Sequence, residues 1–327
     1  MKILLSTREK IVGGGEIFLR DLAIELLNMG HEVIVRSHDG AGITKLLPKV
    51  KNIGILNFSA IRCVVANDFR SLWMATILNP FSRKVFVVHG IWQISWLRMI
   101  FCWGIRAKVL CVSKSLATKA RNSSKFRPEI SQILLCPNKP KSKPDSDQFV
   151  FFEKKSTSLR IGNIARLDPV KNLKLYSDLI ECLINLDYKV DSSLLTYEPV
   201  NKVQSDILSS LSSDIRIINH VSAYEYLTQV DILVNTSEYE SFGYSLFEAL
   251  LSGVAVFSTA TEGPSEFLIQ ELSKGYFPGV SNASTLCSAF LNFRESVDRE
   301  KYISSVESVL NQRSPKMMVS TVLDSLK

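Results

Sequence analysis

Apolar residues run along this chain in short blocks, and stretches with a helical period lie between them. The first 36 residues, "MKILLSTREKIVGGGEIFLRDLAIELLNMGHEVIVR", read as a strand, a glycine loop, a helix and a second strand. In the predicted helix, Ile17, Phe18, Leu22, Ile24, Leu26 and Leu27 recur close to a helical period. Gly30 is placed to stop it, and "HEVIV" opens the next strand. Further apolar runs follow at "VKNIGIL", "IRCVVA", "KVFVVHG" and "AKVLCVS". Strands that alternate with helices predict a parallel sheet covered on both faces.

The segment "CPNKPKSKPDSDQ" (136–148) is polar, carries three prolines and reads as a linker. After it the alternation restarts with "LRIGNIARL", "KVDSSLLTYEP", "SDIRIINHV", "VDILVNTS" and "GVAVFST". The predicted organisation is α/β. A Rossmann-like domain over 1–143 is followed by a linker at 144–157 and a second Rossmann-like domain at 158–305, with a C-terminal helix in 306–327. Open α/β sheets bind ligands beyond the carboxyl ends of their strands. Two such ends facing across a cleft would suit an enzyme with two substrates.

A length of 327 residues with 46% hydrophobic content allows each of two domains its own core. No run of apolar residues is long enough to span a membrane, and Ile3-Leu4-Leu5 is too short for a signal-peptide core. The six cysteines (63, 102, 111, 136, 182 and 287) form no C-x-x-C pair, and the histidines show no ligand spacing. These features predict a reduced, cytoplasmic protein without disulfides or structural zinc. The net charge of +7 is uneven: residues 1–143 hold 23 Lys and Arg against 8 Asp and Glu, and residues 144–327 hold 16 against 24. The basic half suits an anionic membrane or a phosphorylated substrate, or is a solvated surface.

Two segments carry candidate chemistry. In "VDILVNTSEYESFGYSLFEALLSGVAVFST" a strand (231–235) leads through a loop to a helix (about 243–251) and a further strand. Gly243 permits close approach of backbone and ligand, and the helix start offers unpaired N–H groups to an anion. Glu240 lies in the loop, where it can accept from ligand hydroxyls. Glu248 is the only charge between Phe242 and Leu251. It reads either as a buried carboxylate satisfied by paired sugar hydroxyls or as a helix-flank glutamate with a local partner. In "IGNIARLDPVKNL" (161–173) Arg166 and Lys171 follow a strand end and form a candidate diphosphate site.

These residues resemble the retaining glycosyltransferases of family 4. "ARLDPVKN" is similar to their "GRL…K-N" segment, and Glu240 and Glu248 fit their E-x7-E spacing. "GGGEIFLRDLAIELLNMGHEVIV", "VVHG", "VSKSLATKA" and "CPN" fit the first domain of the family in order. The resemblance implies the GT-B fold and transfer from a nucleotide sugar, UDP- or GDP-linked, with retention at the anomeric carbon. It implies ribose binding by Glu248 and sugar hydroxyl binding by Glu240. Backbone contacts to sugar or phosphate would come from Phe242, Gly243, Tyr244 and Ser245, and base contacts from His220 and Val221. Arg166 and Lys171 would neutralise the leaving diphosphate, Gly14 and Gly15 would admit it, and His89 would lie near the donor sugar. His89 reads equally as a core histidine ending a strand. No metal or other cofactor is implied, because the two cations take that role. The one D-x-D, Asp145-Ser146-Asp147, sits in the linker. The implied acceptor is a glycan or a lipid-linked sugar, in surface polysaccharide or lipopolysaccharide synthesis, with no nucleic acid partner. The stretch "SPKMMVSTVLDSLK" fits the helix that crosses back to the first domain in this fold.

The sequence departs from the family pattern at Tyr197-Glu198-Pro199, where a glycine-rich turn is usual. A nicotinamide dehydrogenase would use Gly13-Gly14-Gly15, but Phe18 stands where the third glycine belongs. A nucleotide-sugar epimerase or hydrolase of the same fold, or a GT-B protein without catalysis, are the remaining alternatives. Finally, "IWQISWLRMIFCWGIRAK" (91–108) holds three tryptophans, three cations and no acid. If helical, it places Trp92, Trp96, Met99 and Trp103 near one face. That face reads either as core or as a peripheral contact with anionic membrane.

Overall fold

Continuous apolar strands need cover on both faces, and in the computed structural model they find it in two parallel sheets. The structure describes all residues except 10–11, 38–41, 54–60, 127, 139–147, 154–157, 197–200, 268 and 278–281. The chain divides into two units, one of residues 1–138 with 313–327 and one of residues 139–312.

The first unit carries β1 (Lys2–Ser6), β2 (Glu32–Arg36), β3 (Lys51–Asn52), β4 (Cys63–Ala66), β5 (Arg83–Val88), β6 (Lys108–Cys111) and β7 (Ile130–Gln132). Between them run α1 (Gly14–Asn28), α2 (Gly42–Leu46), α3 (Phe69–Leu78), α4 (Trp96–Gly104) and α5 (Lys114–Asn122). The strand order is β3-β2-β1-β4-β5-β6-β7, so the winding reverses between β1 and β4. Helix α1 buries Phe18, Leu19, Leu22, Ala23 and Leu26, while Ile24 and Leu27 of the expected stripe face solvent. Gly30 ends it with φ 78°.

The second unit carries β8 (Ser158–Ile164), β9 (Lys189–Leu195), β10 (Ile215–Ile218), β11 (Ile232–Asn235), β12 (Ala255–Thr259) and β13 (Tyr276–Phe277). Its helices are α6 (Leu173–Asn185), α7 (Lys202–Ser209), α8 (Ala223–Leu227), α9 (Tyr244–Leu251), α10 (Ala283–Ser296) and α11 (Arg299–Asn311). The order β10-β9-β8-β11-β12-β13 reverses between β8 and β11. A chain end, α12 (Pro315–Ser325), lies in the first unit, where Arg83 donates to the Leu326 carbonyl at 3.0 Å.

Three expected boundaries move. The stretch 306–327 is not one element. Helix α11 stays with the second unit and buries Tyr302, Val306 and Val309. Ser314 then caps a new helix through the Met317 N–H at 3.1 Å, with Pro315 in its first turn. The first unit ends at residue 138 rather than 143. Most of the linker 144–157 lies outside the described residues, but Phe149, Phe151 and Phe152 are buried in the second unit. Their rings meet Phe290, Phe293 and Tyr302, so apolar burial makes this part core and not linker.

Segment 91–108 also differs from a single helix. A tight turn (Ile91–Gln93) precedes α4, whose Ser95 cap accepts the Arg98 N–H at 3.3 Å. Met99 and Cys102 are buried, whereas Trp92, Trp96 and Trp103 are exposed. Met99 therefore does not share the tryptophan face, and the tryptophans are not core. Arg36, the last residue of β2, is buried and donates to Asn79 Oδ1 at 3.0 Å.

Candidate functional site

In the second unit two loops leave the sheet where its winding reverses. The first follows β8. The Asp168 carboxylate accepts the Val170 N–H at 3.1 Å, a turn runs from Pro169 to Lys171, and Asn172 takes a left-handed φ of 46° before α6. The second follows β11. Thr236 Oγ1 contacts the carbonyls of Lys171 and Asn172 at 3.1 and 3.0 Å, and the Glu238 N–H donates to the Val170 carbonyl at 2.9 Å. The loops are thus joined to each other. They bring Lys171 Nζ to 2.5 Å from Glu240 Oε1, with Ser237 Oγ 3.0 Å from the same oxygen. Among the described residues, Glu240 Oε2 has no hydrogen-bond partner. Arg166 is exposed on the first loop and, among the described residues, its guanidinium reaches Asp168 alone, at 4.0 Å. Of the two expected cations, one is thus tied to Glu240 and the other extends toward solvent.

Helix α9 starts at Gly243, whose φ of 81° is left-handed. A Cβ there would lie 3.0 Å from Leu246 Cδ1 and 3.2 Å from Pro264 Cγ. The neighbouring Gly263 donates its N–H to the Glu240 carbonyl at 2.9 Å. A Cβ on it would meet the Phe242 nitrogen at 2.3 Å. The Phe242 ring packs against Phe247 and Phe267, which anchors the loop from below. Tyr244 is buried and Ser245 half-buried in the first turn, where the helix carries its positive end. Glu248 is buried on the same helix. His220 is exposed beyond β10 with φ 63°, beside the half-buried Val221. Tyr197, Glu198 and Pro199 lie outside the described residues, as do Asp145, Ser146 and Asp147. Among the described residues no group of three His, Cys, Asp or Glu side chains is arranged to hold a metal.

The first unit builds a polar cluster at its own reversal point. Glu16 is buried at the start of α1. Its carboxylate accepts from the Gly13 N–H at 3.1 Å, the Thr7 hydroxyl at 3.2 Å and Asn67 Nδ2 at 3.5 Å. Burial, only partly offset by these donors, pushes the carboxyl up to about 7. With its amide nitrogen on Glu16, Asn67 presents Oδ1 to His89 Nε2 in a short contact. That orientation assigns the ring hydrogen to Nε2 and leaves a lone pair on Nδ1. Desolvation lowers His89 to about 4, which keeps the ring neutral. Gln93 accepts the His89 N–H at 2.5 Å and donates to the Asn67 carbonyl at 3.0 Å. Gly14 is exposed at the helix start, and a Cβ on Gly15 would lie 2.7 Å from Asn67 Nδ2.

Glu16, Asn67, Gln93 and Ser237 were not singled out from the sequence. A signal existed for Glu16, which stands three residues after Gly13 at the spacing of a capping box. A second existed for Asn67, the first residue after an apolar strand.

Residues 145–303 match the family model described as glycosyl transferases group 1. Sucrose synthase 2 from Tulipa gesneriana is 25% identical over 197 residues, 54% of this chain, and only 23% of that relative's length is covered. Among solved structures, Anabaena Alr3699/HepE in complex with UDP-glucose superposes with a TM-score of 0.77 at 16% identity, over 100% of this chain and 99% of that one. A glycosyltransferase from Rickettsia africae superposes with a TM-score of 0.73 at 18% identity, over 100% and 97%. Sucrose-phosphate synthase from Thermosynechococcus elongatus gives 0.72 at 15%, over 100% and 99%. The chain has the α/β fold of the GT-B class, and residues 145–303 are similar to the glycosyl transferases group 1.

Proposed function

We propose that the protein is a retaining, metal-independent glycosyltransferase that moves a sugar from a UDP-linked donor to a glycan or lipid-linked acceptor, in surface polysaccharide or lipopolysaccharide synthesis. The observation that carries this reading is the Lys171–Glu240 pair beside the start of α9, at the reversal point of the second sheet. Ligands of open α/β sheets bind at that point. The likeness to a structure holding UDP-glucose supports UDP as the nucleotide.

The chemistry follows from charge. Cleavage of a glycosyl–phosphate bond leaves negative charge on the diphosphate. Lys171, Arg166 and the first-turn N–H groups of α9 stabilise that charge as it develops. Glu240 orients Lys171 through Oε1 and accepts a sugar hydroxyl through Oε2. Glu248 accepts the ribose hydroxyls. The acceptor hydroxyl attacks from the leaving-group face and gives its proton to a donor phosphate oxygen, so no protein base is needed. His89 of the first unit is held neutral, with its lone pair on Nδ1, and can accept a hydrogen bond from a hydroxyl.

A thermal-shift screen of UDP, GDP and ADP tests the reading, since a ligand bound to the native state raises Tm. UDP is expected to give the largest rise, and Glu248→Gln to weaken it by about 1.5–3 kcal/mol. UDP-sugar turnover is expected to persist in EDTA. No shift with any nucleoside diphosphate, or activity lost in EDTA and restored by magnesium, would overturn the proposal. A free epimerised sugar as sole product would identify an epimerase.

A further inference from the structure

The first unit has a surface that this function does not use. From residue 69 to residue 128 the sequence contains no Asp or Glu, eleven Lys or Arg, and all four tryptophans of the chain. Tryptophan is a residue that folding usually buries in large part. Here every one is exposed: Trp73 by 49%, Trp92 by 64%, Trp96 by 58% and Trp103 by 50%.

Helix α4 shows the inversion most clearly. It buries Met99 and Cys102. Its outward face is formed by Trp96, Leu97, Ile100 and Trp103, with no charged residue among them. A solvated helix normally turns polar residues outward. Trp103 extends the face onto Phe126, ring centroids 5.2 Å apart, and Phe126 is itself exposed. Helix α3 lies alongside through the Phe69–Phe101 contact, 5.3 Å between centroids, and adds exposed Trp73 and Ile77. Cations edge this surface. Arg98 stacks over Phe69 at 5.3 Å and bonds the Trp92 carbonyl, Arg106 is exposed just after α4, and Lys125 precedes Phe126. Lys108 is paired with Glu129 at 3.3 Å.

We propose that the outward face of α4, with its flanking cations, is a docking surface for an anionic lipid bilayer. Three observations select this occupant. Tryptophan settles at the boundary between headgroups and acyl chains, where its ring is apolar and its N–H finds water. Cations at the edge of such a face meet anionic headgroups, and no acid in 69–128 opposes them. A second copy of the chain would bring the same cations against each other. The contact is peripheral, because no helix among the described residues is long and apolar enough to cross a membrane.

The test is flotation of the whole protein with vesicles of phosphatidylglycerol and phosphatidylcholine in equal parts, and with phosphatidylcholine alone, at low and high salt. Tryptophan emission is recorded on the same samples. Binding to the anionic vesicles at low salt is expected, with a blue shift, because every tryptophan reports from this unit. Trp96→Ser with Trp103→Ser is expected to weaken partitioning on the order of tenfold or more. Arg106→Gln and Lys125→Gln are each expected to weaken it about fivefold at low salt and little at high salt. Should loss of the Trp103–Phe126 contact unfold the first variant, Trp96→Ser with Leu97→Ser replaces it. Nucleoside diphosphate binding is unchanged in these variants, which separates failure of docking from failure of the transferase reading. The proposal is overturned if the protein ignores anionic vesicles at low salt or if folded variants bind as the wild type does. It is also overturned if the protein is a dimer that the tryptophan variants convert to monomer.

Discussion

Lys171 and Glu240 are 69 positions apart in sequence, yet Nζ and Oε1 stand 2.5 Å apart at the reversal point of the second sheet. Each side chain is 16% exposed, so water screens the pair only in part. Hydrogen bonds from Thr236 and Glu238 to the loop of Lys171 fix the two loops before any ligand arrives. A lysine held in this way needs little reorganisation when negative charge develops beside it.

The pair therefore couples measurably. Lys171→Ala leaves Glu240 without its cation in a partly desolvated place and is expected to cost about 1–3 kcal/mol. Adding Glu240→Gln should recover part of that loss, with a coupling energy of about 1–2 kcal/mol in a double-mutant cycle by urea denaturation. A coupling of only a few tenths would mean that the pair behaves as an exposed one.

Gly243 is required by its backbone. An alanine there would take a left-handed φ of 81° and press its Cβ on Leu246 and Pro264. We expect Gly243→Ala to lose about 1–3 kcal/mol and to weaken binding of inorganic diphosphate. Gly104→Ala is the control, because a Cβ at Gly104 meets nothing within 4 Å. Its Tm should be unchanged or slightly raised.

Gly15 is required by a neighbour instead. A Cβ would sit 2.7 Å from Asn67 Nδ2, and Asn67 is held by Glu16, His89 and Gln93. Gly15→Ala should destabilise by about 1–3 kcal/mol despite the better helix propensity of alanine. Asn67→Ala in the same chain should remove the steric part of the loss. Equal loss in both backgrounds would show that the crowding lies elsewhere.

Glu16 and His89 make stability depend on pH in opposite senses. Glu16 is raised from 4.5 to about 7, so the folded state holds its proton more tightly, and stability falls as pH rises through that window. The contribution is about 3 kcal/mol at most. His89 is lowered from 6.5 to about 4, so its contribution is lost as pH falls from 6.5 toward 4. Glu16→Gln should gain on the wild type between pH 5 and pH 7 and level off above it, and His89→Gln should gain on it toward pH 4. Denaturation curves at these pH values check both, and a pH-independent difference for either variant would remove that group from the account.

Much of this protein is local and was legible in its sequence. The period of apolar residues marks strands and helices because a side chain's face is set within a few residues of backbone. Gly30 and Gly243 mark a helix end and a helix start because only a few residue types tolerate a left-handed φ. The spacing of Glu240 and Glu248 across a loop and the helix that follows is local in the same way. Three things depended on contacts distant in sequence. Lys171 meets Glu240 only because β8 lies beside β11, a fact of sheet order. The buried Glu16 binds Asn67 because the first sheet reverses between β1 and β4. Phe149, Phe151 and Phe152 join a core that the polar residues before them conceal, because burial depends on what the fold places opposite a side chain. The tryptophans of α4 show the same limit from the other side. Their spacing fits a buried stripe or a surface one equally, and only the tertiary structure turned Met99 and Cys102 to the core and left the tryptophans in water.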